Sequence, residues 1–291
     1  MPKLVVIAPG NFAPSGGPEA LHQLVDMANL IEPNSASICY HPFEQNWETP
    51  EPYKIYNCPK IKKNEIPQSA LVVLPEIWPE MSRDFSNKTA LWWLSVDFFG
   101  SYGQHDISGI SIHLAQSAYA YAHIRSIGVD NPMFLTDWLN IDPVQSENKC
   151  YDIAVNPAKG ADLIDSFINL NKDLNVIKLS GMPKTDVVKN LCHTKVYIDF
   201  GHHPGMDRIP REASMCNAVV FVKRAGAALH EQDVPLDEGF KFDSVEQVSD
   251  KVRQVLKDYE YFASRQSGYR AWCFNSKNKF KQEVLNLLSI I

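Results

Sequence analysis

Residues 198–222 read IDFGHHPGMDRIPREASMCNAVVFV. The first four residues close an apolar run that starts at Lys195, and the last five form another. Between them, HHPGMD carries turn chemistry, since Pro204 and Gly205 shape a loop and not a helix. RIPREASMC then opens a helix, with Pro210 suited to its first turn. Strand, loop, helix and strand in this order make a parallel α/β unit. The loop falls at the C-terminal end of its strand, where such sheets bind ligands.

The same alternation runs outward in both directions. Upstream, KLVVIAP, SASICYH, ALVVLPE, TALWWLSVD, GISIHLAQS and PMFLTDWL read as strands. GPEALHQLVDMANLI places Leu21, Leu24, Val25, Ala28 and Ile31 at helical spacing, and AYAYAHIRSIG reads as a helix ending at Gly128. The pattern restarts at CYDIAVN and continues through helix GADLIDSFINLN, strand LNVIKLSG, helix KTDVVKNLCH and strand KVYIDFG. A long helix is expected over VEQVSDKVRQVLKDYEYFASR, opened by a capping box of Asp243 and Glu246, and a last one over KNKFKQEVLNLLSII. Polar, non-periodic text near residues 140–149 marks a linker. The expected domains are therefore 1–142 and 150–270, both doubly wound and Rossmann-like, facing across a cleft. Residues 275–291 form a C-terminal helix that packs back toward the N-terminal domain.

The chain has 291 residues, 45% hydrophobic and 21% charged, which suits two such domains. A formal net charge of -6 provides no basic field for nucleic acid, so no nucleic-acid partner is expected. The six cysteines show no C-x-x-C pair and read as buried reduced thiols. No signal peptide is expected before KLVVIAPG, and no apolar run reaches the roughly 18 residues that span a membrane. These features point to a cytoplasmic protein with at most peripheral membrane contact.

Three segments carry chemistry. At HHPGMDRIPREA, a helix N-terminus offers N–H groups and partial positive charge to an anion, and Arg208 and Arg211 add forked cationic donors. Glu212 can accept two hydrogen bonds from a ribose diol. In APGNFAPSGGPEALHQL, Gly16 and Gly17 allow close backbone approach at a second helix start. It is not G-x-G-x-x-G, so no dinucleotide fingerprint is present. In NPAKGADLI, Lys159 stands just before a third helix. Read singly, each also fits an ordinary solvated loop or cap. There is no D-x-D, G-x-S-x-G or H-E-x-x-H, and no Cys/His spacing suited to zinc.

Taken in order, these segments resemble GT-B glycosyltransferases, similar to the GT4-type group of bacterial polysaccharide biosynthesis. The likeness is carried by GGPEALHQLVDMANLI, HLAQSAYAYAHIRSIGV, IAVNPAKG and PREASMCNAVV. It implies transfer of a sugar from a nucleotide-sugar donor, such as a UDP-sugar, to a glycan or lipid-linked saccharide, as in capsule or O-antigen assembly. No cofactor is expected, and the absence of D-x-D together with the cationic cluster leads to the expectation that no metal is needed. The donor would lie against Gly16, Gly17, Lys159, His203, Gly205, Asp207, Arg208, Arg211 and Glu212, with Glu212 on the ribose and Lys159 with an arginine on the diphosphate. Where the family usually keeps an acidic residue eight positions before its glutamate, this chain has Pro204. His203 or Asp207 would take over the sugar contact. The His203–Pro204 pair is also similar to the phosphate-binding His-Pro of CMP-sugar transferases of the Kdo and sialic type. A sugar-nucleotide epimerase on this fold and a non-catalytic transferase subunit are further alternatives.

The N-terminal half should hold the acceptor. Glu76 and Asp97 follow strands and are candidates for a general base or for binding acceptor hydroxyls; with His203 they make the catalytic set. Trp92, Trp93, Phe98 and Tyr102 read either as core or as stacking surface for sugar rings. His113 reads either as a satisfied buried histidine or as a donor near the leaving phosphate.

Overall fold

A computed structural model describes residues 1–10, 15–143, 146 and 148–291. The part of the Gly-Gly loop at residues 11–14 and the part of the linker at 144, 145 and 147 lie outside the described residues. The described chain divides into two compact units. Unit 1 comprises Met1–Trp138 and Lys277–Ile291, and unit 2 comprises Leu139–Ser276.

Unit 1 contains, in chain order, β1 (Leu4–Pro9), α1 (Gly16–Ile31), β2 (Ala36–His41), β3 (Leu71–Pro75), β4 (Thr89–Trp93), β5 (Ile112–Ala115), α2 (Ala118–Ser126) and β6 (Met133–Phe134). The strands form one parallel sheet in the order β2-β1-β3-β4-β5-β6. Unit 2 contains β7 (Tyr151–Val155), α3 (Ala161–Leu170), β8 (Val176–Lys178), α4 (Lys184–Cys192), β9 (Thr194–Asp199), α5 (Arg208–Met215), β10 (Val219–Lys223), β11 (Lys241–Phe242), α6 (Val245–Lys257), α7 (Tyr259–Arg265) and α8 (Ser267–Phe274). Its parallel sheet runs β11-β10-β9-β7-β8. The last helix, α9 (Ser276–Leu288), places Phe280, Val284, Leu287 and Leu288 in a core cluster of unit 1. Among the described residues, no helix is long and apolar enough to cross a membrane.

Both faces of each sheet are covered, which is why the strands read as continuous apolar runs. Alternate residues of β4 therefore enter opposite layers. Trp92 joins the cluster with α1 and α9, and Trp93 the cluster with α2. Both indoles are fully buried, and each N–H is used internally, Trp92 on Leu135 O at 2.7 Å and Trp93 on His113 Nδ1 at 3.1 Å. They are core residues and offer no surface to a sugar ring. Helix α1 is buried beyond its apolar stripe. His22 is fully buried between Pro18 O at 2.7 Å and Tyr40 OH at 2.9 Å. Burial lowers its pKa to about 4, so the ring is neutral.

Three local expectations change. The capping residue of α6 is Ser244, whose Oγ accepts the Gln247 N–H at 3.4 Å, because Asp243 pairs with Arg224 at 2.7 Å. The expected long helix breaks at Asp258 into α6 and α7. The strand expected over PMFLTDWL shrinks to β6: Leu135 still donates to Ala115 O at 2.9 Å, but Thr136 then leaves the ladder and donates from N–H and Oγ1 to Glu283 of α9, both at 2.7 Å.

Candidate active site

In each unit the strand order reverses beside its first strand: between β1 and β3 in unit 1, and between β7 and β9 in unit 2. Loops leaving such a pair diverge, and the gap between them is the standard ligand position of open α/β sheets.

In unit 2 those loops are residues 156–160 and 200–207. They approach closely because both carry glycine at the crossing. A Cβ on Gly201 would come within 2.5 Å of Lys159 Cβ. Gly160, in left-handed conformation at φ 70°, would carry a Cβ 2.7 Å from Phe200 O. Lys159 Nζ thereby reaches Asp207 Oδ2 at 2.5 Å and His202 O at 3.3 Å. Asp207 is the N-cap residue of α5, yet its carboxylate makes no cap bond. It is held instead by Lys159 and by His203 Nδ1 at 3.1 Å. Burial raises its pKa, but the His203 hydrogen bond and the charges of His203 and Lys159 outweigh this and leave it below the usual range. Arg208 lies in the first turn of α5, its Nε 3.9 Å from Glu212 Oε1.

The structure thus gathers Lys159, His203, Gly205, Asp207, Arg208, Arg211 and Glu212 in one segment of unit 2, with two differences from the expected roles. Arg211 is only 2% exposed and donates to Met206 O at 2.7 Å and Asp207 O at 3.1 Å. Helical side chains lean toward the N-terminus, so this guanidinium braces the loop from within. His203 is 1% exposed, enclosed behind Lys159 and Asp207, whereas His202 is exposed. Sequence reading missed Asp199. Its signal was the alternation of Tyr197 and Asp199 on one face of β9. Tyr197 OH donates to Asp199 Oδ2 at 3.0 Å, and burial together with the Asp199 charge keeps that phenol protonated.

In unit 1, Gly16 and Gly17 begin α1. Ser15 before them is anchored by Tyr53, whose hydroxyl accepts the Ser15 N–H at 3.1 Å. Glu76 follows β3 directly and is buried. Its Oε2 accepts the Leu94 N–H at 3.2 Å, and burial pushes its pKa up to about 8. A carboxyl raised in this way is protonated near neutral pH and suited to proton transfer. Asp97 is exposed, in a short turn after β4 beside Phe98, which is 55% exposed, and near Tyr102, which is 60% exposed. His113 lies elsewhere. It lines a cavity of about 380 Å³ with Ile107, Ile110 and Met133, near the starts of β5 and β6, in register with Leu91 of β4. It is a neutral buried histidine, lowered to about 4 by burial, whose Nδ1 accepts the Trp93 indole N–H at 3.1 Å.

The Glu76 shift has a measurable sign. The folded chain binds this proton more tightly than the unfolded one. Its contribution to stability is therefore present below the ordinary value of 4.5 and is lost as pH rises through about 8. Glu76→Gln should flatten the fall of stability with pH over that window, read as urea midpoints. Parallel pH curves for the two proteins would show that Glu76 does not titrate there.

No family model and no curated protein matches the sequence. Solved structures do match. The sucrose-phosphate synthase of Thermosynechococcus elongatus aligns over 100% of this chain and 98% of its own, with 10% identity and a TM-score of 0.69. Anabaena Alr3699/HepE, solved in complex with UDP-glucose, aligns over 99% of both chains with 12% identity and a TM-score of 0.68. The T4 phage β-glucosyltransferase, solved with UDP and Mn²⁺, aligns over 97% of this chain and 99% of its own, with 10% identity and a TM-score of 0.55.

The fold is GT-B. Each GT-B unit of this chain carries one of the clusters just described, at the C-terminal ends of its own strands. The structural likeness to these GT-B proteins is one of fold, since at 10–12% identity it carries over no residue role.

Proposed function

We propose that the chain is a glycosyltransferase that moves a sugar from a nucleotide sugar, a UDP-sugar, to a glycan or lipid-linked saccharide. The observation that carries this reading is the Lys159–Asp207–Arg208 cluster between the loops after β7 and β9. When the bond between sugar and diphosphate breaks, negative charge develops on the leaving phosphate. The Lys159 ammonium, the Arg208 guanidinium and the N-terminus of α5 supply positive potential there without reorganising. Glu212, one turn along α5, takes the ribose. Unit 2 holds the donor, and UDP is favoured because the Anabaena and phage proteins are each solved with it.

Unit 1 holds the acceptor. Glu76 moves a proton or binds a hydroxyl, and Asp97, Phe98 and Tyr102 offer carboxylate and ring surface to a sugar. The reaction proceeds without a metal, the cationic cluster taking that part. The setting is polysaccharide assembly on the cytoplasmic side of a membrane, which the chain contacts only peripherally. The CMP-sugar alternative needs a His-Pro pair that faces phosphate. The His203 ring is enclosed and engaged with Asp207, which leaves that alternative without geometric support.

Incubation with a panel of UDP-, GDP- and CMP-sugars tests the proposal. Slow release of UDP from one UDP-sugar is expected, unchanged by EDTA. Interconversion of sugars would instead make the protein an epimerase, and release of no nucleotide in any mixture would make it a non-catalytic subunit. Loss of turnover with EDTA and its return with Mn²⁺ would overturn the metal-free part alone.

A further inference from the structure

Behind Lys159, buried polar groups of unit 2 form a single chain. Tyr197 donates to Asp199 Oδ2 at 3.0 Å, and Asp199 Oδ1 accepts the Gly201 N–H at 2.9 Å. Asp199 Oδ1 also lies 3.8 Å from His203 Nε2. The other ring nitrogen, Nδ1, lies 3.1 Å from Asp207 Oδ2, and that same oxygen lies 2.5 Å from Lys159 Nζ. His203 Nε2 is fully enclosed and makes no hydrogen bond among the described residues. The backbone of His203 is fixed as well, its carbonyl accepting the Ala227 N–H at 2.8 Å.

We infer that His203 is a positioning residue: its ring, wedged between Asp199 and Asp207, holds the carboxylate that aims the Lys159 ammonium. This rests on the reading of Lys159 as a diphosphate-binding group. The alternative conformation is plain. Asp207 occupies an N-cap position, where an aspartate ordinarily folds its carboxylate back onto the helix N–H groups. Without His203, Asp207 is free to do so, and Lys159 loses its anchor at the loop.

Charge and hydrogen bonding agree on the state of the ring. Each nitrogen faces a different carboxylate, and only imidazolium donates from both. With the ring charged, Asp199, His203, Asp207 and Lys159 sum to zero; with it neutral, one negative charge is left uncompensated in a largely buried site. Burial lowers the His203 pKa, but the Asp207 hydrogen bond and the charges of Asp199 and Asp207 outweigh burial and the opposing Lys159, leaving it raised. Tyr197 of β9 and Arg211 of α5 bear on the ring's partners, Tyr197 donating to Asp199 Oδ2 and Arg211 to the Asp207 carbonyl, while Arg208 and Glu212 of α5 pair with each other and His202 precedes the ring in sequence. The stability from the charged ring is complete below its unfolded value of about 6.5 and is lost as pH rises through the higher folded value. The same two carboxylates and ring lie within 4.8 Å of one another, a spacing that also suits a cation. The carboxylates sit at different nitrogens, however, and Asp207 already holds an ammonium.

Two measurements on the full chain test this. Histidine ¹⁵N spectra of the unliganded protein, assigned by the signal lost in His203→Gln, should show His203 doubly protonated at neutral pH, and Asp207→Asn should shift it toward the neutral form. A neutral ring in the wild type overturns the proposal whether or not any nucleotide binds. Selective broadening of the His203 signals by Mn²⁺ overturns it in favour of a cation site. Calorimetry with UDP gives the second reading. His203→Gln and Lys159→Ala should each weaken UDP binding about tenfold, and the double variant no more than Lys159→Ala alone, because one acts through the other. Fully additive losses overturn the positioning role and leave the donor reading standing. UDP that fails to bind the wild type sinks the donor reading, while the spectra still decide the state of the ring.

Discussion

Alanine at position 159 is expected to lower turnover of the preferred UDP-sugar about 10²- to 10³-fold, the range for removing one preorganised donor to a developing negative charge. Lys159 stands in the loop after β7, at the point where the strand order of unit 2 reverses, and its ammonium meets Asp207 at 2.5 Å. The lysine side chain is 31% exposed, so a ligand reaches it without unfolding the loop. The loss should fall mainly on kcat, because the leaving diphosphate carries more charge in the transition state than in the bound donor. Lys159→Arg keeps the charge and should recover part of the rate. Melting curves must accompany the kinetics, since the substitution also leaves Asp207 without its cation. Turnover within about threefold of the wild type, in a folded variant, would remove Lys159 from the reaction.

Phe280→Ala is expected to cost about 3–5 kcal/mol of folding stability, as for other fully buried phenylalanines. The ring is 0% exposed and stacks on Trp92, with centroids 6.3 Å apart and planes 14° from parallel. Trp92 fills the centre of the sheet layer and is itself inaccessible, so the vacated space has no side chain that can easily move into it. Urea unfolding followed by tryptophan fluorescence reads the loss directly. A cost below about 1 kcal/mol would mean that α9 lies loosely on unit 1.

Much of the fold is legible where the forces are local. Runs such as LVVIAP and VVFVK are apolar on both faces because their sheets are covered on both faces. The Lys159 loop and the start of α5 are legible for a similar reason: glycine, proline and charge at a helix start are short-range signals. What could not be read depends on partners far along the chain. Thr136 ends a strand early because Glu283 captures it 147 residues away. Ser244, not Asp243, caps α6 because Arg224 has claimed the aspartate. In the site, the residue types point to anion binding, but their directions follow from three-dimensional neighbours. Arg211 turns inward to two loop carbonyls and His203 is enclosed behind Lys159 and Asp207, which a linear pattern of basic residues cannot convey.

The return of α9 to unit 1 sets an order of events during synthesis. Residues 139–276 form a continuous unit that can close as soon as its own chain has left the ribosome. Unit 1 cannot, because Phe280, Val284 and Leu287 belong to its core and are translated after the whole of unit 2. The first-made half of the protein is therefore the last to be finished. Through that interval the layer containing Leu4, Val6 and Trp92 lacks its closing helix, and the nascent chain carries an open apolar face that chaperones or neighbouring chains can reach. A stop codon just before Lys277 would spare every residue of unit 2 and strand unit 1 permanently in that state.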